Sequence, residues 1–124
     1  MDVMLVDDDV VMRRALGKLL EIAGYHVIAE AGDGRQALEM LQTHAPGLIV
    51  TDCQMPRMDG LSFTRTVRGR GVPTPIIMFS GQSDERVRAA ALEAGANAYI
   101  PKSMRPADVL ARICHTLNPL ISAA

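Results

Sequence analysis

The chain is poor in aromatic residues and in cysteine, carries little net charge and has no long apolar run. Its 124 residues include two tyrosines, two phenylalanines and no tryptophan. The formal net charge of -1 leaves no electrostatic footprint for binding nucleic acid. No apolar stretch reaches membrane-spanning length, and no secretory leader precedes the first predicted strand, so we expect no contact with a membrane.

The two cysteines, Cys53 and Cys114, lie far apart and lack the spacing of metal ligands. This usage favours a reducing, cytoplasmic location over a disulfide scaffold. Apolar residues make up 48% of the chain and charged residues 22%, which is typical of a folded globular domain. The length is that of one ordinary domain, and we expect a single domain over residues 1–124.

Short apolar runs alternate with amphipathic segments along the chain. The predicted strands cover residues 3–6, 26–31, 48–52, 75–80 and 98–101. The predicted helices cover residues 9–23, 34–44, 61–70, 84–94 and 107–120. Five strands alternating with five helices predict a doubly wound α/β domain, in which a five-stranded parallel sheet has helices on both faces. This is a three-layer sandwich.

The handedness of the connections limits the possible strand orders. Right-handed crossovers allow few orders, and the order 2-1-3-4-5 places the first and third strands side by side at the switch point. Asp7, Asp8 and Asp52 would then meet at one edge of the sheet. Pro101 supports this order, because proline cannot donate to a strand ladder and the fifth strand is an edge strand here.

Polar side chains end or directly follow four of the predicted strands. They are the pair Asp7 and Asp8, then Asp52, Ser80 and Lys102. Three carboxylates in one crevice cannot all stay ionised without a cation, so the pattern predicts a site for a hard divalent metal. A carboxylate beside Mg²⁺, a hydroxyl and a lysine is suited to receive a phosphoryl group.

Four loops carry motifs that resemble those of a known family. The motifs are Val6-Asp7-Asp8, Thr51-Asp52 with Met55-Pro56-Arg57-Met58-Asp59-Gly60 after it, Ser80-Gly81, and Ala98-Tyr99-Ile100-Pro101-Lys102. In this order and spacing they resemble the response-regulator receiver domain of two-component signalling, the CheY-like family. The resemblance covers the whole chain and implies a flavodoxin/CheY-like fold.

The resemblance implies a role for each polar residue of the set. Asp52 is the phosphoacceptor, and Lys102 pairs with the phosphoryl oxygens. Ser80 is the switch hydroxyl and takes part in the chemistry, while Tyr99 is the switch aromatic residue. The implied ligands of the cofactor Mg²⁺ are Asp7, Asp8, Asp52 and the backbone carbonyl of Gln54.

The function implied is that of a signalling module rather than an enzyme, since such a domain catalyses only its own phosphorylation and dephosphorylation. Its phosphodonor would be a sensor histidine kinase or a histidine phosphotransfer protein. Phosphorylation would switch the surface formed by the fourth helix, fifth strand and fifth helix toward a downstream effector of unknown identity. We expect no direct binding of nucleic acid and no output domain within residues 1–124, as in a single-domain regulator or a receiver cut from a longer protein.

Two other hypotheses come from different classes. The first is a phosphatase or phosphotransferase that uses Asp52 as a turnover nucleophile on a small phosphoester, but Gln54 stands where a second acid would be needed. The second is a flavodoxin-like cofactor carrier, against which the scarcity of aromatic side chains argues. One departure from the receiver pattern concerns Lys102, which precedes Ser103 instead of proline and leaves open whether that peptide bond is cis or trans.

Overall fold

A computed structural model describes residues 1–82 and 84–118. The five strands are β1 (Asp2–Val6), β2 (His26–Ala31), β3 (Leu48–Thr51), β4 (Ile76–Ser80) and β5 (Ala98–Pro101). The five helices are α1 (Val10–Ile22), α2 (Gly34–Met40), α3 (Gly60–Gly69), α4 (Glu85–Ala94) and α5 (Pro106–Leu117). All ten predicted elements are therefore present, with small differences at their ends.

The strands form one parallel sheet in the order β2-β1-β3-β4-β5, which confirms the predicted topology. Val6 is in register with Thr51 across β1 and β3, so the residues that follow them, Asp7 and Asp52, leave the sheet side by side. Pro101 lies on the edge strand β5, opposite Ser80. This register brings the polar loop residues to the carboxyl ends of neighbouring strands.

The sheet separates two layers of core because alternate strand residues point to opposite faces. On β1, Val3 and Leu5 pack in the cluster that includes Leu20 of α1 and Ile113 of α5. Met4 and Val6 pack on the other face, with residues of α2 and α3. Strands covered on both faces are almost wholly apolar, which is why their sequences read as continuous hydrophobic runs.

Aspartates begin four of the helices. Asp9, Asp33, Asp59 and Asp84 each accept a hydrogen bond from a backbone N–H of the first turn. Helix α2 ends at Met40, earlier than the predicted residue 44. The reason is that the N–H groups of Gln42 and Thr43 bond three residues back, so the helix finishes in a tighter turn.

The predicted end of the last helix at residue 120 lies outside the described residues, where α5 ends at Leu117 with Asn118 as its cap. Within residues 1–82 and 84–118 every peptide bond is trans, including the bond from Lys102 to Ser103. In the same part of the chain, no helix has both the length and the apolar character that crossing a membrane requires.

Candidate functional site

Three carboxylates meet at the carboxyl edge of the sheet, as the strand order predicts. Asp7 and Asp8 follow β1, and Asp52 follows β3. Each side chain offers one oxygen, and these oxygens all lie within 4.8 Å of one another. Asp7 is buried, Asp52 is mostly buried and Asp8 is exposed, so the cluster opens to solvent on the Asp8 side.

Lys102 joins this cluster from the carboxyl end of the edge strand β5. Its Nζ donates to Asp7 Oδ2 at 2.8 Å and to Asp52 Oδ2 at 3.2 Å. The backbone N–H of Lys102 donates to the carbonyl of Ser80 at 2.7 Å, which continues the β4–β5 ladder one residue past the end of β5. The side chain is only 15% exposed, so the ammonium group is held in the crevice rather than in bulk water.

The electrostatics of the crevice are unbalanced. Burial raises the pKa of Asp52, the charge of Lys102 lowers it, and the charge of Asp7 raises it again, so that the net pKa is above the usual value. Burial opposes the charge on Lys102, but the hydrogen bond to Asp7 and the charges of Asp52 and Asp7 outweigh it and raise the lysine pKa. One ammonium group therefore bonds to two carboxylates of a cluster that contains three.

The donor set of this cluster fits a hard divalent cation. Carboxylate oxygens are the ligands that Mg²⁺ and Ca²⁺ prefer, and a cation among them would relieve the repulsion that one lysine leaves uncompensated. Asp7, Asp8 and Asp52 are thus able to hold Mg²⁺. Gln54 is exposed two residues after Asp52, in the loop of residues 54–59, which forms most of the connection from β3 to α3.

Gly60 explains how α3 starts so close to the acidic cluster. A Cβ atom at this position would lie 2.0 Å from the carbonyl oxygen of Asp52, so no side chain fits. The N–H of Gly60 donates to the carbonyl of Cys53 at 2.8 Å, and the N–H of Cys53 donates to Asp52 Oδ1 at 2.7 Å. The sequence marked Gly60 only as part of a turn motif, because a close approach of two backbones leaves no local signal.

Two arginines near the cluster carry contacts that sequence reasoning missed. Arg13 Nη1 donates to the backbone carbonyl of Asp7 at 2.6 Å, and its Nε pairs with Glu30 on β2 at 2.9 Å. Arg57 Nε pairs with Asp33 Oδ2 at 2.6 Å. The first pair is 17 residues apart in sequence and the second 24, so neither could be found from local spacing.

Asp33 is also a buried carboxylate, but its pKa is shifted in the opposite direction from that of Asp52. The backbone N–H of Gln36 donates to it and is the main reason that its pKa lies below the usual value. Burial opposes this lowering, and the hydrogen bond and charge of Arg57 add to it. Asp33 is therefore held in its charged form by its partners.

The two predicted switch residues lie on neighbouring strands. Ser80 ends β4 and is 1% exposed, and its Oγ accepts a hydrogen bond from the N–H of Gln82 at 3.2 Å. Because the oxygen is the acceptor in this bond, the hydroxyl proton remains to be donated elsewhere. Tyr99 on β5 is already turned inward, at 5% exposure, and packs with Cys53 and Met78. Its buried hydroxyl has no hydrogen-bond partner among the described residues.

An apolar groove of about 440 Å³ runs between α1 and α5 and reaches Lys102. Its lining includes Leu16, Leu19 and Ile22 from α1 and Val109 from α5. Ile22 is 81% exposed, so this part of the helix presents an apolar side chain directly to solvent. The groove therefore connects an apolar surface to the edge of the acidic cluster.

Comparison with known proteins places the chain in a family. The sequence model of the response regulator receiver domain matches residues 3–114. Response regulator MprA of Mycobacterium tuberculosis (strain ATCC 25177 / H37Ra) is 39% identical over 111 residues, which are 90% of this chain and 48% of that protein. MprA of Mycobacterium leprae (strain TN) is 40% identical over 113 residues, 91% of this chain and 49% of that protein. The chain belongs to the response regulator receiver family and spans about half the length of these curated relatives.

Solved structures agree with this assignment. A two-component response regulator of the LuxR family from Aurantimonas sp. SI85-9A1 is similar with a TM-score of 0.90 and 32% identity, over 95% of this chain and 85% of that one. CheY in a CheX-CheY-BeF3-Mg+2 complex from Borrelia burgdorferi is similar with a TM-score of 0.89 and 27% identity, over 94% and 89%. The predicted CheY-like fold is confirmed, and the domain is a signalling module of two-component systems.

Proposed function

We propose that this domain accepts a phosphoryl group on Asp52 in a Mg²⁺-dependent reaction. The observation that carries the proposal is the juxtaposition of Asp52 with Asp7, Asp8 and Lys102 at the carboxyl edge of the sheet. The donor would be the phosphohistidine of a sensor histidine kinase or of a histidine phosphotransfer protein. The BeF3 and Mg+2 named for the CheY complex are in keeping with this chemistry, although they belong to that protein.

The reaction would be a transfer between two side chains. A carboxylate oxygen of Asp52 attacks phosphorus, the bond from phosphorus to the imidazole nitrogen breaks, and its electron pair stays on that nitrogen. Asp7, Asp8, Asp52 and the carbonyl of Gln54 would hold Mg²⁺, which supplies positive charge that reduces the repulsion between the anionic nucleophile and the phosphoryl group. Lys102 would turn its ammonium group from Asp52 toward a phosphoryl oxygen, as a compact point charge can.

Intact-mass measurement with acetyl phosphate and Mg²⁺ tests this proposal directly. Wild type should gain one phosphoryl group, the adduct should map to Asp52, and hydroxylamine should release it because it is an acyl phosphate. Omission of Mg²⁺ should suppress the reaction. A stable adduct on Ser80 or on a histidine would reject the assignment.

We also propose that the groove between α1 and α5 receives a helix of the phosphodonor protein. The support is position: the groove is apolar, and one of its walls includes Lys102, so a helix lying there would bring its histidine beside Asp52. Ile22→Asp should slow phosphotransfer from a cognate kinase and leave phosphorylation by acetyl phosphate at the wild-type rate. Equal slowing with both donors would show that the substitution disturbs the acceptor site instead.

The proposed output is the surface formed by α4, β5 and α5, coupled to the site through Ser80 and Tyr99. Because the Tyr99 ring is already buried, phosphorylation would strengthen the inward position rather than create it, after Ser80 donates to the phosphoryl group. Ser80→Ala should still accept phosphate but show smaller amide shifts in α4 and β5. If the shifts in wild type stayed within the loops around Asp52, the coupling would be absent.

The setting we propose is that of a two-component module over residues 1–124, located in the cytoplasm. Its partners would be a histidine-containing phosphodonor and a downstream effector, with no direct contact with nucleic acid or a membrane. The composition supports this, since the net charge is -1 and both cysteines are free thiols. Catalysis would be limited to the domain's own phosphorylation and dephosphorylation.

A further inference from the structure

The loop of residues 54–59 is fastened to the start of α2. Arg57 Nε contacts Asp33 Oδ2 at 2.6 Å, and the N–H of Gly34 donates to the carbonyl of Met58 at 2.9 Å. A Cβ atom at Gly34 would lie 2.9 Å from both the Cγ and the carbonyl oxygen of Met58. The loop therefore rests on α2 at a distance that only glycine permits.

Arg57 adopts a backbone conformation that arginine does not prefer. Its φ of 64° is the one positive value at a non-glycine position in residues 1–82 and 84–118. Glycine would take this conformation without strain, so an arginine here is explained by what its side chain contacts. That contact is Asp33, whose side chain is 4% exposed and whose Oδ1 is fixed by the N–H of Gln36 at 2.8 Å.

A backbone hydrogen bond also joins the two ends of the loop. The N–H of Gly60 donates to the carbonyl of Cys53, which closes the loop next to Asp52. Gln54 lies inside the closed loop and is exposed, so its carbonyl direction depends on where the middle of the loop rests. The bond from Gly34 to Met58 holds the backbone of this middle part, and Arg57 adds a side-chain contact to Asp33, the cap of α2.

We propose that Arg57, through its ion pair with Asp33, is a positioning residue that holds the Gln54 carbonyl in place for Mg²⁺. This inference rests on the proposed function, in which that carbonyl is a metal ligand. Mg²⁺ requires nearly ideal octahedral geometry, whereas Ca²⁺ accepts variable geometry. A loop that is held in place therefore favours Mg²⁺ over Ca²⁺, and a loosened loop loses part of that preference.

The test is the affinity of Arg57→Gln for each metal, measured by amide shifts of Cys53 and Gly60 during titration with Mg²⁺ or Ca²⁺. We expect the Mg²⁺ dissociation constant to rise about tenfold, as when a group that orients a metal ligand is removed. The Ca²⁺ constant should rise less. Loss of a positive charge would by itself tighten the binding of both cations, so the direction of the change separates positioning from charge.

Three variants serve as controls. Arg57→Gly removes the ion pair but relieves the left-handed strain, and it should show the same weakened Mg²⁺ binding without a matching loss of stability. Arg65→Gln removes an equal charge from an exposed position on α3 and should not weaken Mg²⁺ binding. The double variant Arg57→Gln with Asp33→Asn should bind Mg²⁺ no worse than Arg57→Gln alone, because both changes break one contact.

The inference is overturned if Arg57→Gln binds Mg²⁺ as tightly as wild type, or if its affinities for Mg²⁺ and Ca²⁺ fall by the same factor. If wild type showed no Mg²⁺ binding that depends on Asp52, the proposed function would be rejected as well. Mg²⁺ binding that is lost in Asp52→Asn but unchanged in Arg57→Gln would leave the proposed function standing and reject the role of Arg57.

Discussion

Asp33 and Asp52 are both largely buried carboxylates with a cation beside them, yet their surroundings act in opposite directions. The side chain of Asp33 is 4% exposed and that of Asp52 is 12% exposed. A backbone N–H and Arg57 lower the pKa of Asp33, whereas burial and Asp7 raise the pKa of Asp52 despite Lys102. Burial alone therefore does not decide the state of an acid in this domain.

The difference lies in how many acids share each cation. Asp33 has Arg57 and the first turn of α2 to itself, so its charge contributes to the stability of the fold. Asp52 shares Lys102 with Asp7, and Asp8 adds a third carboxylate nearby. The first site is electrostatically satisfied, while the second is left with an excess of negative charge that a metal ion would relieve.

The two aspartates should differ most in what their replacement does to phosphorylation. Asp52→Asn should gain no hydroxylamine-labile phosphate from acetyl phosphate, because the nucleophilic carboxylate is gone. Asp33→Asn should still be phosphorylated at saturating Mg²⁺, although it should need a higher Mg²⁺ concentration. Intact mass after incubation at several Mg²⁺ concentrations measures both, and an adduct of normal yield on Asp52→Asn would end the comparison.

Mg²⁺ should offset the repulsion among the carboxylates around Asp52 and so stabilise the fold. Because the metal binds the folded crevice and not the unfolded chain, a concentration about 100 times the dissociation constant should stabilise wild type by about 2.7 kcal/mol. This is a rise of several degrees in Tm for a domain of this size. Thermal melts in EDTA and in Mg²⁺ measure the effect. Equal wild-type values of Tm in the two conditions would mean that the three carboxylates do not form a metal site.

In EDTA, neutralising Asp33 should lower the stability of the fold, whereas neutralising Asp52 should raise it. Asp33→Ala removes a helix cap and should lower the free energy of unfolding by about 1–2 kcal/mol. Asp33→Asn can still cap the helix and should lose under about 1 kcal/mol, since Arg57 is largely exposed. Asp52→Asn should melt higher than wild type in EDTA and gain less from Mg²⁺, because one of the repelling charges is gone. A lower Tm for Asp52→Asn would contradict the comparison.

The smallest expected effect is on the pH dependence of stability, to which the two acids should contribute with opposite signs. The folded-state pKa of Asp52 is raised, so the folded state binds more protons and stability should increase as pH falls toward about 4. The folded-state pKa of Asp33 is lowered, so its contribution is present above about pH 4 and is lost as pH falls further. Denaturant unfolding in EDTA at a series of pH values should show the first slope reduced in Asp52→Asn and the second reduced in Asp33→Asn.

Much of the fold was predictable because its signals are local. Apolar runs and helical periodicity predicted ten elements in their right order. Right-handed crossovers limited the possible strand orders, and Pro101 on an edge strand favoured the order that is observed. Polar residues directly after the strands predicted that Asp7, Asp8, Asp52 and Lys102 would meet, and they do. Their roles in phosphorylation and metal binding stay predictions until they are measured.

The sequence by itself therefore determined the architecture and the acidic cluster, since both depend on spacing along the chain and on the direction of parallel strands. Only the tertiary structure decided which distant side chains meet. The ion pair of Arg57 with Asp33, the approach of Gly60 to the Asp52 carbonyl and the inward position of Tyr99 all depend on how separate loops pack. Such contacts leave no periodic pattern, because residues far apart in sequence become neighbours only after the sheet has brought their loops together.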